Sequence, residues 1–344
     1  MKSLFLRGTL STSCLLLVFL AAAVWVTAPL RPAASVMALN SDAWCQAMEL
    51  RLSRSDLLRY ILLPVTTATD QPLNIGSDGA EVRSASAVPT TCQSHQPGLA
   101  AFRLDDQPLE APVFDMTQDF TVEGWFRWHG RGSVVGANNG SAGTLLSMGD
   151  GIHDGFSLTL MFDDGSVQLG LGQPAPKASF LTQGNVRIPP GLWAHLAVVR
   201  HARQVKLYVN GLLVGLNESD VSATQPPRWR KFRVGYVGNG DSSVRMDVGE
   251  WAVFKTALQD AELAQLAHLP DVPATRQLQT AREALCLDDT SKCQQLLQGI
   301  AAVGELSCAV KFTAAEILLR QQQADAALVA FQDVAKCGAG YWQQ

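Results

Sequence analysis

The sequence has little positive charge. Its 27 lysines and arginines are outnumbered by 31 aspartates and glutamates, which gives a net charge of −4. Without the first 38 residues, which carry Lys2, Arg7 and Arg31, 24 basic residues face 31 acidic ones and the balance falls to −7. Proteins that bind nucleic acid concentrate basic residues in a patch or stripe. The composition therefore argues against nucleic acid as a partner.

Acidic residues are absent before Asp42. Lys2 and Arg7 precede an apolar run over residues 14–26, and short side chains surround Ala38. This pattern is typical of a secretory signal peptide. It predicts a signal segment over residues 1–38 and export to the periplasm, the cell surface or the medium. The alternative is an uncleaved membrane anchor, because the apolar stretch is almost long enough to span a bilayer.

Closely spaced cysteine pairs are lacking as well, since none of the seven cysteines shows the C-x2-C spacing of a zinc site. Six cysteines remain outside the signal segment, an even number that suggests disulfides in an exported chain. About fifteen connectivities are formally possible for six cysteines. Positions across predicted turns, and elimination for the first pair, favour Cys45–Cys92, Cys286–Cys293 and Cys308–Cys337.

Helical periodicity is missing from most of the chain. Residues 39–96 are predicted to hold a short helix within 39–65 and an irregular connector rich in Ser, Thr, Pro and Gly. From about residue 97 to 268, short apolar runs such as "FTVEGWFRW" and "GFSLTLMF" alternate with Gly, Asn and Asp turns. Many short strands at near-regular spacing indicate an antiparallel β-sandwich or barrel. The fold class is therefore mainly β.

The stretch "QVKLYVNGLLVG" predicts a tight hairpin within this series. Asn210 and Gly211 suit a two-residue type I′ turn, which needs positive φ at both positions. A second hairpin is predicted around Asp164-Gly165. Beyond a capping helix near residues 256–269, residues 274–344 show helical spacing of apolar positions. They predict a C-terminal helical unit.

Three segments carry a family resemblance: "FTVEGWFRW", "GLWAHLAVVRHARQVKLYVNGLLVG" and "VGEWAVFKTALQDAELAQL". Over about residues 97–268 the chain resembles the concanavalin A-like lectin/glucanase superfamily, and within it the laminin G-like, pentraxin-related jelly rolls. The matching positions are Trp193, His195, Ala197, Leu207, Tyr208, Asn210 and Gly211, the closing strand Val248 to Phe254, and the helix positions Ala257, Leu258, Glu262 and Leu263.

One departure concerns metal binding. The acidic residue of the family's closing strand, often associated with calcium in relatives, is Gly249 here. The helical tail resembles a single tetratricopeptide-type repeat at Ala315, Ala327 and Phe331. One such repeat cannot bury its own apolar face, so it is expected to pack on a neighbour.

Catalysis is not expected. Glycanases with this fold need two carboxylates about 5 Å apart, placed at even spacing on one strand. No such run occurs, and Asp163 and Asp164 read as turn residues. Calcium remains possible, because loops with several oxygen ligands can hold it. The candidate loops carry Asp150 with Asp154, and Asn239 with Asp241; ordinary turn chemistry explains the same residues.

Glycan binding would need an exposed aromatic plane beside polar groups. The candidates are Trp128, and Trp229 with its neighbours Arg228 and Arg230. Trp125 and Trp193 match motif positions and are expected in the core, and His195 is expected to be structural. The sequence thus predicts an exported, non-catalytic binding protein, with a glycan as its ligand. The alternative is an assembly module that meets a cell-envelope protein through the helical tail, and a glycanase-like enzyme ranks third.

Overall fold

A computed structural model describes residues 42–64, 73–79, 81–84, 90–94, 99–133, 141–149, 154–172, 179–181, 186–217, 231–235, 243–269, 273–301 and 305–336. The strands are β1 (Leu57–Pro64), β2 (Leu73–Asn74), β3 (Arg83–Ser84), β4 (Thr90–Gln93), β5 (Leu99–Leu104), β6 (Leu109–Pro112), β7 (Phe120–Arg131), β8 (Ala142–Gly149), β9 (Gly155–Met161), β10 (Val167–Leu171), β11 (Ser179–Leu181), β12 (Trp193–His201), β13 (Gln204–Val209), β14 (Leu212–Asn217), β15 (Lys231–Val234) and β16 (Val244–Phe254). The helices are α1 (Asp42–Ser53), α2 (Asp260–Leu266), α3 (Pro273–Cys286), α4 (Thr290–Gln298), α5 (Glu305–Arg320) and α6 (Ala324–Ala335).

Within the described residues the strands form two antiparallel sheets. The larger sheet runs β14-β13-β12-β7-β16-β1-β5-β4, with β2 beside β1, and the smaller runs β11-β10-β9-β8-β15-β6-β3. Apolar side chains from both sheets meet in one core, which includes Phe102, Phe126, Phe156, Phe232 and Trp251. The predicted β-sandwich with a helical C-terminus is confirmed.

The opposite face of the larger sheet is half covered by helices. Residues that alternate with the core positions, such as Tyr60, Tyr208 and Phe254, form a second apolar cluster with Trp44 of α1 and Leu263 of α2. Because successive side chains on a strand point to opposite faces, strands β1, β12, β13, β14 and β16 contribute to both apolar clusters. We call this face the outer face.

The N-terminal segment differs from its prediction. The helix ends at Ser53, and residues 57–64 form strand β1, which lies between β16 and β5 in the larger sheet. Apart from Arg59, the residues of β1 are apolar or aromatic on both faces. Such a run lacks alternation, so it resembles a helical pattern in sequence. The sandwich therefore begins well before residue 97.

The Asn-Gly hairpin between β13 and β14 forms as predicted, with φ of 50° at Asn210 and 74° at Gly211. A side chain at Gly211 would also meet the Ala267 Cβ at 2.9 Å. The hairpin between β9 and β10 forms too, but its loop spans the four residues 162–165, closed by the Met161 N–H on the Ser166 carbonyl. Two residues suffice in the first loop because both adopt left-handed backbone conformations.

The helical unit packs on the edge of the sheet. From α3, the Gln279 amide donates to the Gly211 carbonyl and accepts from the Leu213 N–H, and Arg282 Nε donates to the Leu213 carbonyl at 2.8 Å. These bonds occupy backbone groups of Leu213 in β14, and of Gly211 in the turn before it, that an edge strand would otherwise leave open to another chain. None of the described helices has the length and apolar character that a membrane crossing requires.

Two of the three predicted disulfides are wrong in this structure. Cys92, Cys286 and Cys293 carry free thiols, so the pairs Cys45–Cys92 and Cys286–Cys293 are not formed. Cys92 lies beside Asp247 rather than α1, and elimination could not have shown this. Cys308 is disulfide-bonded; its predicted partner Cys337 lies outside the described residues.

Candidate functional site

The predicted ligand residues do not meet in one place. Trp128 is 6% exposed, and its Nε1 donates to the Ile188 carbonyl at 2.7 Å. Its prediction as an exposed stacking plane is therefore wrong, because the strand alternation turns this ring into the sandwich core. Trp229, Arg228 and Arg230 lie outside the described residues.

The calcium candidates are only partly described. Asp150, Asn239 and Asp241 lie outside the described residues, and Asp154 is buried at the start of the turn into β9. Among the residues that the structure does describe, no group of three or more His, Cys, Asp or Glu side chains is arranged to hold a metal ion.

The outer face of the larger sheet carries two clusters of charged residues. On β7 the outward positions are Glu123, Trp125, Arg127 and His129, as the period of two requires. Helices α1 and α2 cover the half that contains Glu123. The half that contains Arg127 is only partly covered. Strand β7 thus contributes Glu123 to a buried cluster and Arg127 to an open one.

The buried cluster is centred on Arg51 of α1. Its Nε and Nη2 donate to the two Glu123 carboxylate oxygens at 2.7 and 2.9 Å, and its Nη1 lies 3.4 Å from Glu250 Oε1. His195 Nε2 contacts the same Glu123 carboxylate at 2.8 Å. All four side chains are at most 2% exposed. The cluster joins α1 to the sheet, and His195 is structural, as predicted.

The two carboxyl groups of this cluster differ in pKa. Burial disfavours ionisation of both. At Glu123 the Arg51 charge and the His195 hydrogen bond outweigh burial and lower the pKa to about 2. At Glu250 burial prevails, Arg51 offsets only part of it, and Glu123 adds repulsion, so the pKa rises to about 7. The single positive charge of Arg51 therefore keeps Glu123 ionised at neutral pH, whereas Glu250 is only partly ionised.

The open cluster is centred on Asp247 of β16, and we call it the polar platform: Arg103, Arg127, His129, Trp193 and Asp247. Asp247 is buried and accepts from Arg103 Nε at 2.8 Å, from Arg127 Nη2 at 2.6 Å, and pairs with His129 Nε2 at 2.7 Å. The side chains of Arg103, Arg127 and His129 are 39%, 21% and 29% exposed.

An aromatic ring borders the platform. The Arg127 guanidinium lies 4.8 Å from the centroid of the half-buried Trp193 ring, within cation–π range. Opposing burial, hydrogen bonds from Arg103, His129 and Arg127 lower the pKa of Asp247 to about 2. Burial and the neighbouring Asp247 raise the pKa of the Cys92 thiol to about 11. The carboxylate is therefore charged and the thiol neutral at neutral pH.

Sequence reasoning missed most of this platform. Trp193 was assigned to the core, yet it lines a polar surface. The alternation "WFRWHG" could have indicated that Arg127 and His129 share a face. Arg103 and Asp247 could not have been added, because their meeting depends on the pairing of β5 with β16.

Comparison with known proteins agrees with the fold. Residues 104–264, just under half of the chain, match the family described as the concanavalin A-like lectin/glucanases superfamily. The predicted resemblance is confirmed over this stretch. No curated protein matches the chain significantly.

Similar solved structures include the binding domain of botulinum neurotoxin DC in complex with SialylT, which is 12% identical with a TM-score of 0.47. The binding domain of Paraclostridial Mosquitocidal Protein 1 is 13% identical with a TM-score of 0.49. Each alignment covers 63% of this chain and 52% of the other. The chain thus spans about half the length of these structures.

Proposed function

We propose that this protein is an exported, non-catalytic binding protein whose polar platform recognises an acidic glycan. One observation carries the proposal: an aromatic ring, two arginines and a histidine are held together on an open sheet face by a buried carboxylate. The match of this region to a superfamily described as lectins and glucanases supports the same class of ligand.

The chemistry of the platform suits a sugar acid. Arg103 and Arg127 bring two positive charges against the single negative charge of Asp247. Arg103 spends its Nε and Nη2 on Asp247, and its Nη1 has no bond among the described residues. A guanidinium presents N–H groups in a fork that matches a carboxylate. A sugar ring can stack on the exposed part of Trp193 while its acid group meets Arg103.

Catalysis finds no support in the arrangement of carboxylates. Glu123 and Glu250 are brought together on the outer face, but both are buried under α1 and bound by Arg51. A retaining glycosidase needs two carboxyl groups that reach the substrate. The glycanase-like reading therefore ranks below binding.

The proposal can be tested by retention on immobilised polysaccharides, hyaluronan and polygalacturonate against neutral dextran. The wild-type protein should bind the acidic polymers and not dextran. Arg103→Met and Arg127→Met should each weaken binding about tenfold, the equivalent of one charge-assisted hydrogen bond. Arg203→Met is the matched control, because Arg203 is exposed in the turn at the far end of β12. Equal losses in all three variants would contradict the proposal.

The same retention experiment, repeated with a chelator, tests whether binding depends on calcium. The platform contacts the ligand through the guanidinium groups of Arg103 and Arg127 and not through a metal ion, so we expect retention to be unchanged by a chelator. Loss of retention on chelation, with Arg127→Met unchanged, would contradict the platform and return the site to the loops of Asp150, Asp154, Asn239 and Asp241.

Export is the second part of the proposal and rests on the N-terminal sequence. If a signal peptidase removes residues 1–38, the mature protein starts at Leu39. N-terminal sequencing of protein from the periplasm or medium tests this. A membrane-bound chain that still begins at residue 1 would favour the anchor.

A second candidate function is assembly with a cell-envelope protein through the helical tail. It is favoured by four exposed large apolar side chains in this unit, Leu287, Leu319, Leu328 and Val329, which are 42–59% exposed. A photo-crosslinker at position 328 should capture a partner in intact cells, while one at exposed Lys255 on the sandwich should not.

A further inference from the structure

A pocket opens at the end of the sandwich that carries the platform. Its volume is about 430 Å³, and we call it the end pocket. Its lining comprises Trp128, Phe162, Asp163, Asp164, Gly165, Arg187, Ile188, Pro189 and Pro190. Trp128 and Phe162 pack 6.2 Å apart between ring centroids. Trp128 is buried and Phe162 is half-buried, so Phe162 is the aromatic ring of this pocket that a ligand can contact.

The polar groups of this pocket are mainly acidic. Asp164 is anchored by the Ser166 N–H at 2.8 Å and lies 3.6 Å from Arg187. The exposed Asp163 carboxylate has no hydrogen bond within the described part of the chain. Carboxylates next to an aromatic wall can accept hydrogen bonds from sugar hydroxyls, but they repel a second carboxylate.

The end pocket and the platform are neighbours. Arg127 of the platform and Trp128 of the pocket are consecutive residues that point to opposite faces of β7. Pro190 of the pocket and Trp193 of the platform are three residues apart, so their Cα atoms lie at most about 11 Å from each other. Arg131, at the end of the same strand, places its guanidinium 5.6 Å from the centroid of the Phe162 ring.

We infer that the end pocket is a second subsite, which holds an uncharged sugar unit next to the acidic unit on the platform. The ligand is then an oligosaccharide in which acidic and neutral units alternate, not a polymer of sugar acids. The charges support this order. The platform is net cationic, whereas Asp163 and Asp164 at the pocket are balanced by Arg187 and by Arg131 against Phe162, so the pocket has no net charge to attract an acidic unit. The inference rests on the proposed function, since the platform must bind the acidic unit first.

Calorimetry with defined probes tests the inference: glucuronic acid, hyaluronan tetrasaccharide and tetragalacturonate. Hyaluronan alternates glucuronate with an uncharged amide sugar, whereas tetragalacturonate is acidic at every unit. We expect the hyaluronan tetrasaccharide to bind about tenfold more tightly than glucuronic acid or tetragalacturonate. Phe162→Ala should abolish this advantage and leave the affinity for glucuronic acid unchanged. Asp163→Asn should strengthen only tetragalacturonate binding, because it removes a repulsive charge.

The outcomes separate the two hypotheses. If all three probes bind equally and Arg127→Met weakens all of them, the platform stands and the second subsite is wrong. If no probe binds, the proposed function itself fails. Phe162→Leu keeps an apolar wall without an aromatic face; it guards against a folding defect and should lose most of the advantage. Full retention of the advantage in both Phe162 variants would overturn the inference.

Discussion

Two clusters on the outer face are both built from arginine, histidine and carboxylate side chains, but one is buried and the other is open to solvent. Around Arg51 the carboxylates of Glu123 and Glu250 are sealed beneath α1, whereas around Asp247 the arginines reach solvent. In the first the central charge is a cation among acids, and in the second it is an acid among cations. The helix cover decides the difference: a cluster closed off from solvent can only stabilise the fold, and an open one can meet a ligand.

The largest expected effect comes from removing the centre of the buried cluster. Arg51→Met leaves Glu123 buried without its cation, so the free energy of unfolding should fall by about 3–5 kcal/mol. Arg103→Met, the matched change on the platform, should cost less than about 1 kcal/mol, because Arg103 is itself well exposed and Asp247 keeps its bonds to Arg127 and His129. Urea unfolding of both variants measures the contrast. Similar losses would mean that solvent cover does not separate the clusters.

The next effect is a pH dependence confined to the buried cluster. Glu250 has a pKa raised to about 7, so its neutral form stabilises the fold. That contribution is complete below its ordinary pKa of 4.5 and is lost as the pH rises through 7. Relative to Glu250→Gln, which cannot ionise, the wild-type protein should lose about 3 kcal/mol between pH 4 and pH 8. A constant difference between the two proteins over this range would show that Glu250 titrates normally.

The centre of the platform should behave in the opposite sense. The pKa of Asp247 is lowered to about 2, so its charged form contributes stability above pH 3.8 that is lost as the pH falls through 2. Asp247→Asn should cost about 1–2 kcal/mol at pH 7, since hydrogen bonds to a charged acceptor are weakened. The cost should vanish near pH 2. Thermal unfolding across this range checks the sign, and a cost that persists at pH 2 would point to packing rather than charge.

The contrast also explains which parts were predictable from sequence. Alternating apolar runs and the Asn210-Gly211 turn sufficed for the sandwich, because strand period and hairpin geometry are local properties. Strand β1 is not predicted, since apart from Arg59 its residues are apolar or aromatic on both faces and show no alternation. The helical tail was recognised from its spacing, but the way Gln279 and Arg282 close the sheet edge was not.

The clusters themselves depend on contacts between distant residues. Arg51 meets Glu123 across 72 positions of the chain, and Arg103 meets Asp247 across 144. No local pattern encodes such pairs. Tryptophan residues are the sequence signal for a glycan site, and the signal is wrong at Trp128. A one-residue step along β7 separates this buried ring from the partly exposed Arg127 guanidinium.

The smallest expected effect is a salt dependence of the stability cost, which should appear for the platform and not for the buried cluster. Exposed charges are screened within a Debye length of about 10 Å at 0.1 M salt, and buried pairs much less. Between 50 and 500 mM NaCl, the cost of Asp247→Asn should shrink by a few tenths of a kcal/mol, whereas that of Arg51→Met should not change. Paired urea titrations at both salt concentrations can resolve this. An equal decrease in the cost of Arg51→Met would mean that ions and water reach the side chains beneath α1. The buried cluster would then be open to solvent, as the platform is.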